Sequence, residues 1–347
     1  MEYTAIPTQS IGPVKILGDV LNDTVHVPLA TFETTLWPST NRGAKATRKA
    51  GGITCTIISD QMTRAIMLEA DTAHTAARIK AEIETQIPTI KGVIQQTSQY
   101  AVLQHIHCQI VSQMLIVRIS IQSGDASGHN MVTKAADQVM QWLLSQYAEL
   151  RYVSVSANCC TDKKVSAINA TQGRGKHLIA EVVIPYAICQ RILKVEPSTL
   201  VACHLKKNLI GSIQAGSLLS ANAHFANLLL ATYLATGQDA ANIVEGSQGM
   251  THAECRDDDL YFSVNLPNLI VGTVGHGKHH PHIQHHLETL GCLEPTAKPG
   301  ANSQRLAAII AATVLCGELS LMAALTNPGE LMRSHITFER TGSATCK

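Results

Sequence analysis

The sequence predicts an α+β protein: a large, helix-rich, discontinuous domain into which a small ferredoxin-like domain of βαββαβ order is inserted. Between Arg64 and Ser156, hydrophobic periodicity switches between about 2 and about 3.6 residues in that order. The flanking stretches are long, apolar and rich in Ala and Gly, as closely packed helices are. Aromatic residues make up only 4% of the chain, while Ala, Leu, Ile and Val abound, which suits helices on a sheet better than a β-sandwich.

Ala65–Glu69 alternates as a strand, and Asp71 opens an amphipathic helix through Thr85 with Ala73, Ala77, Ile79 and Ile83 on one face. Val102–Cys108 and Met114–Ile121 read as a hairpin across the polar Gln113 region. A second helix runs from about Asn130 to Tyr147, aligning Val132, Ala136, Val139, Met140, Leu143 and Leu144, and Tyr152–Ser156 closes the unit. Residues 65–156 are thus predicted as the small domain, with 1–64 and 157–347 forming the large one. In the large domain Ala180–Leu193, Ser217–Thr236 and Ser303–Leu325 are predicted as helices. Leu306–Leu325 is nearly as apolar as a membrane span, but Glu318 inside it and its Ala, Gly and Ser content mark a core helix.

At 347 residues the chain can bury a sizeable core without staples. A net charge of +1 with 15% charged residues provides no basic footprint for nucleic acid and no acidic tail, which leaves small-molecule work as the default. Ten cysteines are scattered, with no CxxC and only Cys159 and Cys160 adjacent, and they read as reduced thiols. The start, MEYTAIPTQSIGP, lacks the basic and apolar regions of a signal peptide, so a soluble cytoplasmic protein is expected.

Chemistry is suggested where charge, amide and glycine crowd together. Thr161-Asp162-Lys163-Lys164 follows a predicted strand, and Gly173-Arg174-Gly175-Lys176 comes soon after. Such a lysine is either part of a solvated loop or a fixed cation beside a carbonyl that gains negative charge.

Taken together the segments resemble one family over nearly the whole chain. They are PLATFE at Pro28–Glu33, STNRG at Ser39–Gly43, DQMTR at Asp60–Arg64, SGDASGHNM at Ser123–Met131, CTDKKVSAIN at Cys160–Asn169 and GRGK at Gly173–Lys176. KNLIGS at Lys207–Ser212, AHFAN at Ala223–Asn227, GQDAA at Gly237–Ala241, GTVG at Gly272–Gly275, GELSLMAAL at Gly317–Leu325 and MRSH at Met332–His335 continue the series. The set resembles hydroxymethylglutaryl-coenzyme A (HMG-CoA) reductase, in the form shared by eukaryotes, archaea and some bacteria. Each motif alone is weak, but the ordered series is specific.

The resemblance implies reduction of HMG-CoA to mevalonate and free coenzyme A with two NAD(P)H. It also implies a catalytic group of Glu33, Lys163, Asp239 and His335. Reducing a thioester twice creates an alkoxide twice and expels a thiolate once, so a cation and proton donors are required. Lys163 is expected to stabilise the oxyanion, and Glu33 to protonate the carbonyl oxygen with a pKa raised by burial or by Asp239. Asp239 is expected to tie Glu33 and Lys163 into one network, and His335 to protonate the thiolate. Arg64, Ser156, Lys164, Lys207 and Asn227 are expected to hold the HMG end, with His224 either facing the site or serving as a core histidine. Ser98, Asp125, Ser127, Gly128, Asn130, Gly272, Thr273 and Gly275 are expected to bind the cofactor. A homodimer or dimer of dimers is implied, since the family's site lies at a subunit boundary.

Some features depart from the family pattern. GTVGHGK at Gly272–Lys278 fits a phosphate loop until His279 occupies the magnesium-holding Ser/Thr position, so a nucleoside triphosphatase is rejected. The crowded histidines from His276 to His286 are expected to be a solvated patch, with no metal in catalysis. His276 and Lys278 replace a glycine and a threonine of the family, and Ser127 and His129 replace methionines. Gln99 replaces the arginine that reads the NADPH 2′-phosphate, so a weakened preference for NADPH, with tolerance of NADH, is expected unless His129 or another cation compensates. The family's ENxxG dimerisation element is expected just before Tyr3, where this sequence starts. Thr341, near a phosphorylation position of some relatives, is read as an ordinary tail residue. The alternatives are a catalytically weak homologue that binds acyl-CoA or a partner, and a related oxidoreductase of another acyl-CoA.

Overall fold

The computed structural model describes residues 2, 4–296 and 298–340; Tyr3 and Thr341 lie outside them. Strands β1 (Thr8–Leu17), β2 (Asp23–Ala30), β3 (Ile53–Glu69), β7 (Gly175–Ile184), β9 (Asp259–Leu269) and β8 (Met250–Arg256) form one sheet in the order β2-β1-β3-β7-β9-β8. β3 belongs to two sheets. Its first half, Thr54–Gln61, pairs antiparallel with β7, and its second half, Met62–Glu69, pairs with β5 (Met114–Gln122). The second sheet adds β4 (Val102–Val111) beside β5 and β6 (Arg151–Ser154) beside β3, all antiparallel. Its order β4-β5-β3-β6 is the split βαβ order that the alternating pattern predicts.

Helices α2 (Ala73–Thr85), α3 (Ile87–Gln95) and α4 (His129–Gln146) give this second sheet its own core, in which Ile66, Leu68, Ile79, Ile90, Val117 and Val139 are buried. A separate core forms between the first sheet, helix α1 (Leu36–Lys49) and the helices Phe225–Ala235 and Ala301–Leu325.

Three segments differ from expectation. The strand expected at Ala65–Glu69 begins at Ile53, and a register shift between Ile57 and Ser59 breaks the alternation that would have revealed it. Ala180–Leu193 is not one helix. Up to Ile184 it is β7, where Ala180, Val182 and Ile184 are buried alternately with less buried neighbours, and Pro185 ends the strand before helical turns follow. In Ser217–Thr236 only Phe225–Ala235 is regular helix, because the Asn222 side chain bonds the Ser247 and Gly249 carbonyls and holds the chain irregular before it.

Ala301–Leu325 is 94% buried over its most apolar window, so it is the central core helix. Small residues admit its neighbours: a Cβ on Gly43 of α1 would lie 1.9 Å from the Cys316 carbonyl oxygen, and one on Gly317 would lie 2.7 Å from Leu228. Glu318, fully buried, accepts the backbone N–H groups of Ala223 at 2.9 Å and His224 at 2.5 Å. These lie at the start of the Phe225–Ala235 helix, where backbone donors have no intrahelical partner, so the carboxyl group inside the apolar helix serves the neighbouring helix.

Candidate active site

The expected catalytic residues fall into two clefts. The first, of about 420 Å³, is lined by Glu33, Ser39, Arg42, His224, Asn227 and His335, among others. Glu33 follows β2 in a turn closed by its N–H to Thr31 Oγ1 at 3.0 Å and by the Leu36 N–H to its carbonyl at 3.0 Å. Its Oε2 accepts a hydrogen bond from Asn227 Nδ2 at 2.9 Å, and its Oε1 lies 3.4 Å from the Thr35 hydroxyl. Asn227 is on the first turn of the Phe225–Ala235 helix. His335 ends the short helix Glu330–His335, which Arg42 anchors by pairing with Glu330 and by donating to the Ser320 carbonyl at 2.6 Å. Thr34 also donates to the Phe338 carbonyl at 3.1 Å, so the C-terminal segment is tied to the Glu33 turn. His224 Nε2 stands 3.8 Å from Glu318 Oε1, which joins the core and cleft readings of that histidine.

The second cleft, of about 740 Å³, is lined by Arg64, Ser127, Gly128, His129, Asn130, Lys163, Asp239, Gly275 and Lys278, among others. Lys163 Nζ meets Asp239 Oδ2 at 2.7 Å. Burial acts to raise the Asp239 carboxyl, but the Lys163 hydrogen bond and the Ala241 N–H outweigh it and hold it below the usual range. The bond to Asp239 holds the Lys163 ammonium above its usual value. In this chain Asp239 pairs with Lys163 alone of the expected network, and the partner of Glu33 is Asn227.

The residues expected to hold the HMG end divide in the same way. Arg64 donates to Thr133 Oγ1 at 2.7 Å and reaches Ser156 Oγ at 3.4 Å on the Lys163 side. Lys164 is exposed and donates to the Asp162 carbonyl at 3.1 Å. Asn227 lines the Glu33 cleft. Lys207 is exposed, donates to Asn208 Oδ1 at 3.1 Å and lines neither cleft.

Among the residues expected to bind cofactor, Ser127, Gly128, Asn130 and Gly275 line the second cleft. α4 starts there from Gly128 in the left-handed conformation without a side-chain cap, and with Lys278 this donor set suits phosphate oxygens. Asp125 is used otherwise: its carboxylate accepts the Ser303 N–H at 2.9 Å and the Gly300 N–H at 3.2 Å, capping the central helix. Gly272 and Thr273 support the loop from behind. Thr273 donates its N–H to the Asp125 carbonyl at 2.8 Å, and a Cβ on Gly272 would lie 2.4 Å from the Ser127 nitrogen. Ser98 accepts the Tyr100 N–H at 3.2 Å outside the cleft lining, and Lys134 Nζ donates to the adjacent Thr97 carbonyl at 3.2 Å.

In and beneath the second cleft, burial and ion pairing set the charge of residues in ways that their motifs do not disclose. His129 Nε2 stands 3.8 Å from Asp162 Oδ1, and burial with the Arg174 charge lowers the imidazole to about 4, so it is neutral at pH 7. Burial lowers Lys278 to about 8, and its ammonium donates to the Gly237 carbonyl on the loop that carries Asp239. Fully buried Arg174 bonds Asp162 Oδ1 at 2.8 Å. No group of three or more His, Cys, Asp or Glu is arranged to hold a metal among the described residues. His286 of the histidine-rich segment is tied to the Ala235 carbonyl at 2.7 Å.

A family model described as hydroxymethylglutaryl-coenzyme A reductase matches residues 2–340. The 3-hydroxy-3-methylglutaryl-coenzyme A reductase of Aeropyrum pernix is 41% identical over 338 residues, which are 97% of this chain and 80% of that relative. That of Pyrococcus horikoshii is 40% identical over 332 residues, covering 95% and 80%. In fold the chain is similar to a class II 3-hydroxy-3-methylglutaryl-CoA reductase from Streptococcus pneumoniae solved with NADPH in open conformations. The TM-score is 0.75 at 17% identity, covering 94% of this chain and 86% of that one.

Proposed function

The chain belongs to the hydroxymethylglutaryl-coenzyme A reductase family, an NAD(P)H-dependent oxidoreductase family acting on HMG-CoA, and from that premise we propose how its residues divide the reaction. The balance is HMG-CoA plus two NAD(P)H and two protons, giving mevalonate, free coenzyme A and two NAD(P)⁺. The cofactor, when bound, supplies a hydride in each of the two reductions.

Lys163 is the oxyanion cation. Asp239 holds it in place, and the pair is the observation that carries the reading, because a fixed cation that need not reorganise stabilises charge developing on the carbonyl oxygen. Glu33 supplies the proton to that oxygen, with Asn227 orienting its carboxyl. His335 protonates the departing thiolate from the C-terminal segment. Arg64 and Ser156 hold the HMG carboxylate beside Lys163. Arg42, Lys45, Lys49 and Arg191 line a basic cleft that shares Pro38 and Arg42 with the Glu33 cleft, and they suit the phosphates of coenzyme A.

The clefts join when two copies meet, with Lys163 and Asp239 of one facing Glu33 and His335 of the other. Supporting this, Val165, Leu218, Leu219 and Met250 are exposed apolar side chains on segments near the Lys163 loop, and β8 is the last strand of its sheet. Gln99 leaves the 2′-phosphate of NADPH without its expected arginine. We therefore assign a weakened preference for NADPH, with Lys134 as the cation reaching that turn. The burial of the single span-length helix and nine free thiols among the described residues support a cytoplasmic enzyme.

The test is HMG-CoA-dependent oxidation of NADPH and of NADH by the wild type and by Lys163→Ala. A loss of about 10²–10³-fold in kcat is expected for the variant. No HMG-CoA-dependent oxidation of either cofactor by a folded dimer would favour the acyl-CoA-binding alternative.

A further inference from the structure

We propose that Glu245, backed by Arg174, is the positioning residue for Lys163: its buried carboxylate accepts the Lys163 backbone N–H and holds the left-handed turn from which the lysine reaches Asp239. The inference rests on the reading of Lys163 as the oxyanion cation.

The Lys163 loop is unfavourable on its own. Asn158, Thr161 and Lys163 have φ of 56°, 37° and 56°, a region that residues with a Cβ avoid and that persists only where surrounding contacts impose it. The contacts come from below. Glu245 Oε1 accepts the Lys163 N–H at 3.1 Å and Asn242 Nδ2 at 3.0 Å. Asn242 in turn donates its own N–H to the Asp239 carbonyl at 3.1 Å, so one carboxylate oxygen links the loop of the lysine to the loop of its partner. Arg174 completes the brace. Its Nε lies 3.6 Å from Glu245 Oε1 and its Nη2 bonds Asp162, the residue before Lys163, at 2.8 Å.

Both side chains of the pair are fully buried. Glu245 Oε2 and Arg174 Nε have no hydrogen-bond partner among the described residues. Burying two charges this incompletely satisfied is poor stabilisation, and an apolar pair would serve a purely structural role better. Retaining them makes sense if the geometry of the one satisfied oxygen matters. A donor displaced by about 1 Å from where charge develops costs about 10²-fold in rate.

The test separates acceptor position from charge in the full-length dimer. Glu245→Asp keeps the charge but withdraws the acceptor by about one bond length, about 1.5 Å. Glu245→Gln keeps an oxygen at full reach and removes the charge. Glu245→Asp is expected to lose about 10²-fold in kcat, with KM for HMG-CoA and for NADPH little changed. Glu245→Gln is expected to hold kcat within about 5-fold of wild type even if its melting temperature falls, because the oxygen that holds Lys163 is still present. Glu245→Asp at wild-type kcat, or Glu245→Gln slower than Glu245→Asp, overturns the inference. Lys163→Ala, measured alongside, keeps the two readings apart. If Lys163→Ala is fully active the role given to Lys163 is wrong; if it is slow while Glu245→Asp is fast, only the role given to Glu245 is wrong.

Discussion

Lys163 holds Asp239 at 2.7 Å in one cleft, whereas Glu33, the acid expected beside them, lines a different cleft and bonds Asn227. A site assembled from two copies accounts for this division and predicts complementation. Lys163→Ala and Glu33→Gln, each prepared alone, are expected to be nearly inactive. Subunits mixed and allowed to exchange form mixed dimers, about half of the total, in which one of the two sites recovers both intact residues. The mixture should therefore regain about a quarter of wild-type activity. No recovery, in a mixture shown by mass spectrometry to contain mixed dimers, places all the chemistry within single chains.

The roles proposed for His335, in thiolate departure alone, and for Lys163, in both reductions, predict that their losses are separable. Thiolate departure occurs only when the substrate is a thioester, while the second hydride goes to an aldehyde. His335→Gln is expected to slow HMG-CoA reduction by about 10²-fold, the scale of a lost general acid. Reduction of the free aldehyde should stay near the wild-type rate. Lys163→Ala should slow both, since each step develops charge on the same oxygen. Equal loss by His335→Gln on both substrates would contradict the assigned role.

The motifs name Lys163 and Asp239 as one group, and the chain brings them together because the loop between β6 and Ala167 and the turn after the Phe225–Ala235 helix are tied to each other through Glu245 and Asn242. What stayed hidden depends on contacts far apart in sequence. Asp125 sits in a glycine-rich segment that suggests ligand contact, but its carboxylate caps a helix 175 and 178 residues further on. Nothing local reveals that. Glu245 meets the Lys163 amide across 82 residues and carries no motif of its own. β7 reads as helix in the sequence because Ala180, Val182 and Ile184 belong to a segment whose small and branched residues suit either period, and only its burial on the sheet decides. The βαββαβ order was readable because its helices and hairpin each bury one face.

Gln99 is exposed and uncharged, and Lys134 donates to the Thr97 carbonyl in the same turn. If these two positions set cofactor choice, Gln99→Arg should raise the ratio of kcat/KM for NADPH over NADH by about 10-fold, equivalent to about 1.4 kcal/mol of added phosphate contact. Lys134→Met should lower the ratio without changing kcat/KM for NADH. Steady-state kinetics with both cofactors measures this directly, and a ratio that neither substitution moves would place 2′-phosphate recognition elsewhere.

Lys278 should make stability depend on pH in a defined direction. It stands where the family pattern has threonine, and burial lowers it from 10.5 to about 8. A base lowered on folding is more protonated in the unfolded chain between those two values, so stability rises with pH across that window. Below it both states carry the proton, and the folded protein bears the full cost of a partly buried charge. Lys278→Met should thus be more stable than wild type near pH 7, by on the order of 1–3 kcal/mol before its lost bond to the Gly237 carbonyl is deducted. That advantage should shrink as pH rises from about 8 toward about 10, because the wild-type lysine is then already neutral when folded. Urea denaturation of both proteins at about pH 7 and about pH 9.5 measures the change. An advantage that grows with pH would mean that Lys278 is held charged in the cleft, with Asp239 rather than burial dominating its environment.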